Sequence, residues 1–337
     1  MVTIIFKLLL LITPIAIWTN SSMDMFDIIL FRTGIIVLFM ASLVDNPKRD
    51  IPKNIIYLIL GLLGLCLANV FIYTFHPVVL SNFQNIFLAT LGFCIVYKYL
   101  DEKQNFKKYI LWAGLINLLF FISQRIGFDP ILDKRVDFLE VGALLGNKSR
   151  LLTYFAVITP FLWTPLLIIS ATIGIFTGQL VIFIPIIICL WTKLKNNKER
   201  IGFLVVLLLA AIVFHHKILY SLLFRFNEAW KPAMIAFFDK SLFGLGLGAR
   251  VKSNIEFLGN SYLQFIVGVG ILGAVWFGYA FKFLYKTLSV STESIALASL
   301  AVIMLIEYPI EMPRLWITLI GIIVLALIKN KEVVNVS

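Results

Sequence analysis

Apolar residues along this chain run in long blocks instead of alternating, and short polar stretches separate the blocks. The blocks fall near 3–19, 26–44, 55–72, 82–100 and 108–126, then 151–191 without a polar break, then 201–216, 262–281, 295–308 and 314–328. A helix needs roughly 20 apolar residues to cross a bilayer, and backbone polar groups at that depth must be satisfied internally. Each block is therefore read as helix, some of them tilted or broken. Block 151–191 is too long for one crossing and too short for three full ones, and Pro160, Pro165, Gly174, Gly178 and Pro185 interrupt it. One crossing plus a pair of short or re-entrant pieces fits that length. No small-x-small cleavage pattern follows the opening block, which is expected to remain as a first span. The pattern predicts an all-α fold: a polytopic membrane helix bundle of about 10–12 transmembrane segments. It forms a single integral domain over 1–337, with an external loop at 217–261 carrying short helices.

Composition points the same way. Hydrophobic residues make up 61% of the chain and charged ones 14%, with a mean hydropathy of +0.97. A soluble domain carries roughly 25% charged residues, so this chain could not cover an ordinary water-facing surface. Cys66, Cys94 and Cys189 lie inside apolar runs, share no metal-ligand spacing and read as packing residues.

The net charge of +11 resides largely in short loops. Lys48, Arg49 and Lys53 form one basic group, Lys98, Lys103, Lys107 and Lys108 another, and Lys193, Lys195, Lys198 and Arg200 a third. With Lys282, Lys286, Lys329 and Lys331, these loops are placed in the cytoplasm by the positive-inside rule, with both termini inside. The remaining loops are then external, yet they too are rich in cations. Loop 217–261 holds Lys217, Arg225, Lys231, Lys240, Arg250 and Lys252 against Glu228, Asp239 and Glu256, and Arg150 ends the loop before it. Such cations either decorate a solvated loop or bind an anionic group at the membrane boundary. Arginine suits the second role because its planar fork pairs bidentately with phosphate and keeps its proton.

Four stretches carry a family resemblance: GALLGNKSRLLTYFAVITP (142–160), FTGQLVIFIP (176–185), RFNEAWKPAMIAFFDKSLFGLGLG (225–248) and GNSYLQFIVGVGILG (259–273). Their order and spacing resemble the O-antigen ligase and polymerase family, multispanning enzymes of the bacterial inner (plasma) membrane that transfer lipid-linked glycans on the periplasmic face. The likeness covers about residues 140–285. The third stretch matches an Arg, a Trp one turn later and a Leu-x-Gly-x-Gly-x-Gly run. The fourth matches His-Asn-x-Tyr-Leu-Gln, with Gly259 in the place of the histidine. The family's Ser-Arg-Gly arginine falls near Gly178 or Gln179 and is absent.

The resemblance implies an enzyme, a glycosyltransferase with a polyprenyl-diphosphate donor. An undecaprenyl-diphosphate-linked glycan would pass to an acceptor hydroxyl, on another lipid-linked glycan for a polymerase or on lipid A core for a ligase. Charge builds on the departing diphosphate, so fixed cations beside it stabilise the transition state. Arg225 and Arg250 are the expected catalytic cations, with Arg150 and Lys252 behind them on the substrate. With arginines supplying charge to an already activated donor, no cofactor and no metal is required. The backbone N–H groups of Gly246 and Gly248 would approach an anion, although a tight turn explains the glycines as well. Asn260, Trp230 and Glu307 complete the substrate-binding set. Trp230 belongs to an amphipathic piece, Glu228 to Phe238, that either anchors in the interface or braces the donor's tail.

Glu256 is the candidate base. Glu307 and Glu311, beside Pro309, Pro313 and Arg314, are the other acids at an interrupted apolar block, and Glu311 could instead pair with Arg314. The rival class is a transporter or flippase that moves the same lipid-linked glycan without forming a bond. It would show matched halves with a midplane basic cavity, whereas these cations gather in one loop.

Overall fold

The computed structural model describes residues 1–15, 23–101, 106–128, 148–161, 183–194, 196–239, 241–247, 260–287, 291–304 and 312–329. All regular structure among them is helical. In chain order the helices are α1 (Val2–Ile12), α2 (Met23–Ser42), α3 (Lys53–Ile72), α4 (Pro77–Tyr99), α5 (Lys107–Arg125), α6 (Lys148–Ile158), α7 (Phe183–Lys193) and α8 (Asn197–Arg225). After a π-helical turn at Phe226–Trp230 come α9 (Lys231–Asp239), α10 (Ser261–Val269), α11 (Ile271–Thr287), α12 (Thr292–Ile303) and α13 (Pro313–Lys329). Helices α3 and α4 are each long and apolar enough to cross a membrane.

Helix α13 forms the centre. It is apolar on nearly every side, with Leu315, Ile317, Ile322 and Val324 almost fully buried, as a helix packed all round must be. It packs against α2, α4 and α12. Helix α1 buries Val2, Phe6 and Leu10 at four-residue spacing and leaves Ile4, Leu8 and Ile12 exposed. Helix α8 shows the opposite pattern to α13: Ile201, Leu204, Val206, Leu208, Ile212, Tyr220 and Phe224 are all exposed.

Polar contacts bring the first two basic groups together at one end of the molecule. The Met1 amine pairs with Asp45 at 2.8 Å, and Lys48 pairs with Asp101 at 3.1 Å. The Lys48 N–H donates to the Lys98 carbonyl at 2.9 Å, and Arg49 Nη2 to Leu100 O at 2.7 Å. Lys107 reaches the buried Glu293 at 3.3 Å, which brings the starts of α5 and α12 to the same end. At the opposite end, α3 turns into α4 over Tyr73–His76, with Thr74 and Phe75 at φ 51 and 58 and Pro77 opening the next helix.

The helices fall close to the apolar blocks, with three differences. Helical conformation continues past 216 to Arg225, so the expected loop 217–261 begins as helix. Block 262–281 is broken at Gly270 into α10 and α11. Block 151–191 contributes α6, a 3-10 turn at Thr159–Phe161 and α7; its remaining residues lie outside the described set.

Candidate functional site

Two of the four motif stretches pack on each other. The first begins where α8 ends, at the half-exposed Arg225. Pro232 lacks an N–H, and its ring crowds the carbonyl four residues back, at Glu228. That residue lies in the middle of the widened turn Phe226–Trp230, as expected for a helix accommodating a proline. Past the turn, Ala229 and Ala233 present a small-residue face to Val267 of α10, flanked by Trp230, Phe237, Leu245 and Leu263.

The glycine run then closes the gap between α10 and α11. A helix ending at Val269 leaves its last carbonyls without intrahelical donors, and one starting at Ile271 leaves its first amides without acceptors. Gly270, at φ 87, donates to Ile266 O at 2.7 Å. The loop serves the other orphans. The Leu245 N–H donates to Val267 O at 2.7 Å, the Gly246 N–H to Gly268 O at 3.0 Å, and the Ile271 N–H to Ser241 O at 2.9 Å. Backbones meet so closely that a Cβ on Gly270 would lie 2.2 Å from Leu242 O, and one on Gly244 2.5 Å from Val267 O. Glycine is needed at both positions for space and for positive φ.

Helix α3 locks this junction. Asn69, 2% exposed, donates to Phe243 O at 3.0 Å and to Gly268 O at 3.1 Å, while its Oδ1 accepts from the Leu247 N–H at 2.8 Å. The Tyr73 hydroxyl donates to Gly244 O. The start of α10 is fixed as firmly: Asn260 Oδ1 caps the Leu263 N–H at 2.9 Å, the Ser261 N–H donates to Met304 O at 2.9 Å, and the Tyr262 hydroxyl to Ala301 O at 2.7 Å.

Three expected site residues take structural roles here. The amide of Gly246 is occupied by Gly268 O, with those of Leu245 and Leu247 occupied beside it, so this part of the run is not an anion cradle. Asn260 serves as the cap of α10, which explains its place before an apolar helix. Arg150 Nη1 donates to Asp27 Oδ2 at 3.0 Å, and Asp27 is 1% exposed. Arg150 is thus matched by a buried carboxylate of α2, on a different element from the one that carries Arg225. Trp230 packs half-buried in the α9–α10 contact. Arg250, Lys252, Glu256, Gly248 and Glu307 lie outside the described residues, although Ser261 and Met304, which flank the two acidic segments, are hydrogen-bonded neighbours.

Asn69, Tyr73 and Asp27 carry contacts that the sequence reading did not assign. Their signal was available: each is a polar side chain in or beside an apolar block, where an unpaired group is costly and a partner is expected. No family model, no curated protein and no solved structure matches the chain.

Proposed function

We propose that this chain is a polytopic protein of the bacterial inner membrane that transfers an undecaprenyl-diphosphate-linked glycan to an acceptor hydroxyl, as a surface-polysaccharide polymerase does. Membrane residence is supported by the breadth of exposed apolar surface, from Ile29 and Ile36 on α2 to Tyr57 and Leu60 on α3 and most of α8. Water-soluble monomers rarely expose apolar patches of that extent. The end holding the Met1 amine, Lys48, Arg49, Lys98 and Lys107 is the cytoplasmic one by the positive-inside rule. The glycine-loop junction then faces the periplasm.

The single observation carrying the catalytic reading is the junction itself. The Arg-Trp-amphipathic-glycine stretch and the Asn-Ser-Tyr-Leu-Gln stretch, which resemble two separate family motifs, are built into one unit beside the half-exposed Arg225. Its glycines set the geometry, and the charge comes from Arg225 and Arg250. In the transfer, the bond between the sugar's anomeric carbon and the diphosphate oxygen breaks, and a bond to the acceptor oxygen forms. The hydroxyl proton passes to Glu256, and undecaprenyl diphosphate leaves with its charge held by the two arginines. Departure of the leaving group drives such an oxocarbenium-like transition state, which reduces the demand on the base where Gly259 replaces a histidine.

Complementation tests the assignment. In a polymerase-null strain the chain is expected to restore a surface-glycan ladder on gels, and Arg225→Ala and Arg250→Ala are each expected to abolish it. Ladders restored equally by both alanine variants would remove the proposed site, and rescue confined to ligase-null cells would move the acceptor to lipid A core.

A further inference from the structure

A second cation lies among apolar residues, away from the glycine-loop junction. Arg32 sits midway along α2 and reaches α4. Its Nε donates to Asn85 Oδ1 at 2.9 Å, and its Nη2 donates to Ser81 Oγ at 3.0 Å and to the Ser81 carbonyl at 3.2 Å. All three acceptors are neutral. Among the described residues no carboxylate meets Arg32, and no acceptor meets Nη1, which carries two more N–H donors. The nearest acid on its own helix, Asp27, is taken by Arg150. Arg32 is therefore fixed by three hydrogen bonds and has no counter-charge among the described residues, with Nη1 left out of those bonds.

The surroundings define what could meet Nη1. Arg32 is half-buried, and Thr33, Ile29 (56% exposed), Ile36 (53%) and Val78 (46%) line the outer surface on either side of the seam. Ser81 and Asn85 lie one turn apart on the same face of α4, so they bind the guanidinium as a pair. At about 1.5 Å of rise per residue, the Ser81–Asn85 stretch is roughly 6–12 Å below the Pro77 end of α4. With the Pro77 end taken as the outer membrane boundary, as in the orientation proposed above, the guanidinium lies in the outer half of the bilayer, close beneath the lipid phosphates. A partner here must have an anionic head and an apolar body.

We propose that the α2–α4 seam is a binding site for a lipid phosphate, with Arg32 Nη1 donating to the phosphate oxygens and the exposed apolar residues beside it taking the chain. Two lipid sources share this chemistry, the bulk anionic phospholipid of the outer leaflet and a polyprenyl phosphate. The site rests on the membrane placement above and not on the transfer reaction.

The test uses the full chain purified in detergent. Native mass spectrometry would follow retention of phosphatidylglycerol, undecaprenyl phosphate and phosphate-free diacylglycerol, each added in turn. The wild type is expected to hold at least one phosphate lipid about tenfold more tightly than diacylglycerol. Arg32→Gln is expected to lose that preference, and Arg32→Lys, which keeps the charge without the fork, to retain part of it. The same difference is expected in an Arg225→Ala/Arg250→Ala background, so a failed transfer site leaves this result unaffected. Preference for phosphatidylglycerol assigns the seam to structural lipid, and preference for undecaprenyl phosphate assigns it to the carrier; either supports the site. Equal retention of all three lipids by the wild type overturns it, whether or not the variants fold. Undiminished retention by a folded Arg32→Gln protein overturns it as well.

Discussion

Asn69 and Arg32 are both polar side chains set into apolar helices, and the difference between them separates structure from binding. Asn69 meets three backbone groups of the glycine loop and α10, using both the donor and the acceptor side of its amide. Both of its N–H donors are taken. Arg32 meets three acceptors on α4, none of them charged, and keeps donors to spare. A buried polar group whose partners are complete fixes one arrangement of the chain, whereas a half-buried one left with charge and donors is open to a partner from outside. The comparison also explains the middle of the glycine run, where the amides of Leu245, Gly246 and Leu247 already have acceptors in α10 and α3 and are therefore unavailable to an anion.

The contrast is most easily broken at Gly270. Alanine there would place a Cβ 2.2 Å from Leu242 O at a φ of 87, so Gly270→Ala is expected to cost about 3 kcal/mol or more and to depress the thermal unfolding midpoint in detergent. Gly278→Ala, with nothing within 4 Å, is the control and should be neutral or stabilising by roughly 0.5–1 kcal/mol. Equal midpoints for the two variants would mean that α10 and α11 are not broken as described. Asn69→Leu comes next. It removes the acceptor of Leu247 N–H and the donor to Phe243 O, and an expected loss of about 2–4 kcal/mol would appear in the same assay. A midpoint like the wild type's would show that the junction closes without the Asn69 side chain.

Arg32→Gln should behave differently. Its stability is expected to stay within about 1 kcal/mol of wild type, because glutamine preserves a polar contact to Ser81 or Asn85, while phosphate-lipid retention falls. A large unfolding effect with unchanged lipid retention would place Arg32 in the same class as Asn69. The smallest effect is expected at the surface. A hydrogen bond from the Met1 amine holds the Asp45 carboxyl below its usual range, against an opposing push from burial and with further help from the Val2 N–H and the charge of the amine. A lowered folded value means the pair stabilises above the ordinary carboxylate range and is lost as pH falls through the folded value. Between about pH 5 and pH 3 the wild type should therefore lose up to about 1 kcal/mol more than Asp45→Asn. Parallel pH profiles would contradict that pairing.

Much of the helix layout was legible from apolar periodicity alone, because block length and apolarity are local properties. The blocks at 55–72 and 314–328 became α3 and α13 nearly residue for residue. The break at Gly270 was not legible, since its cause is a loop more than twenty residues earlier whose amides replace the missing helical bonds. The run of glycines was visible as a close-approach signal, but a sequence does not say whether backbone or phosphate does the approaching. Arg150 was visible as a cation, and its partner Asp27 lies 123 positions away. Arg32 and Asp27 fall inside a block that reads as a span, which masks them in a pattern of apolar blocks. Charge at such a position is itself the informative feature.

The transfer reaction is tested most directly with purified protein in lipid nanodiscs and an undecaprenyl-diphosphate-linked glycan labelled in both lipid and sugar. The account predicts longer glycans together with free undecaprenyl diphosphate, both lost in Arg225→Ala and Arg250→Ala. Intact donor recovered after incubation, with the same protein in sealed vesicles moving it from one leaflet to the other, would contradict bond formation and identify a carrier instead.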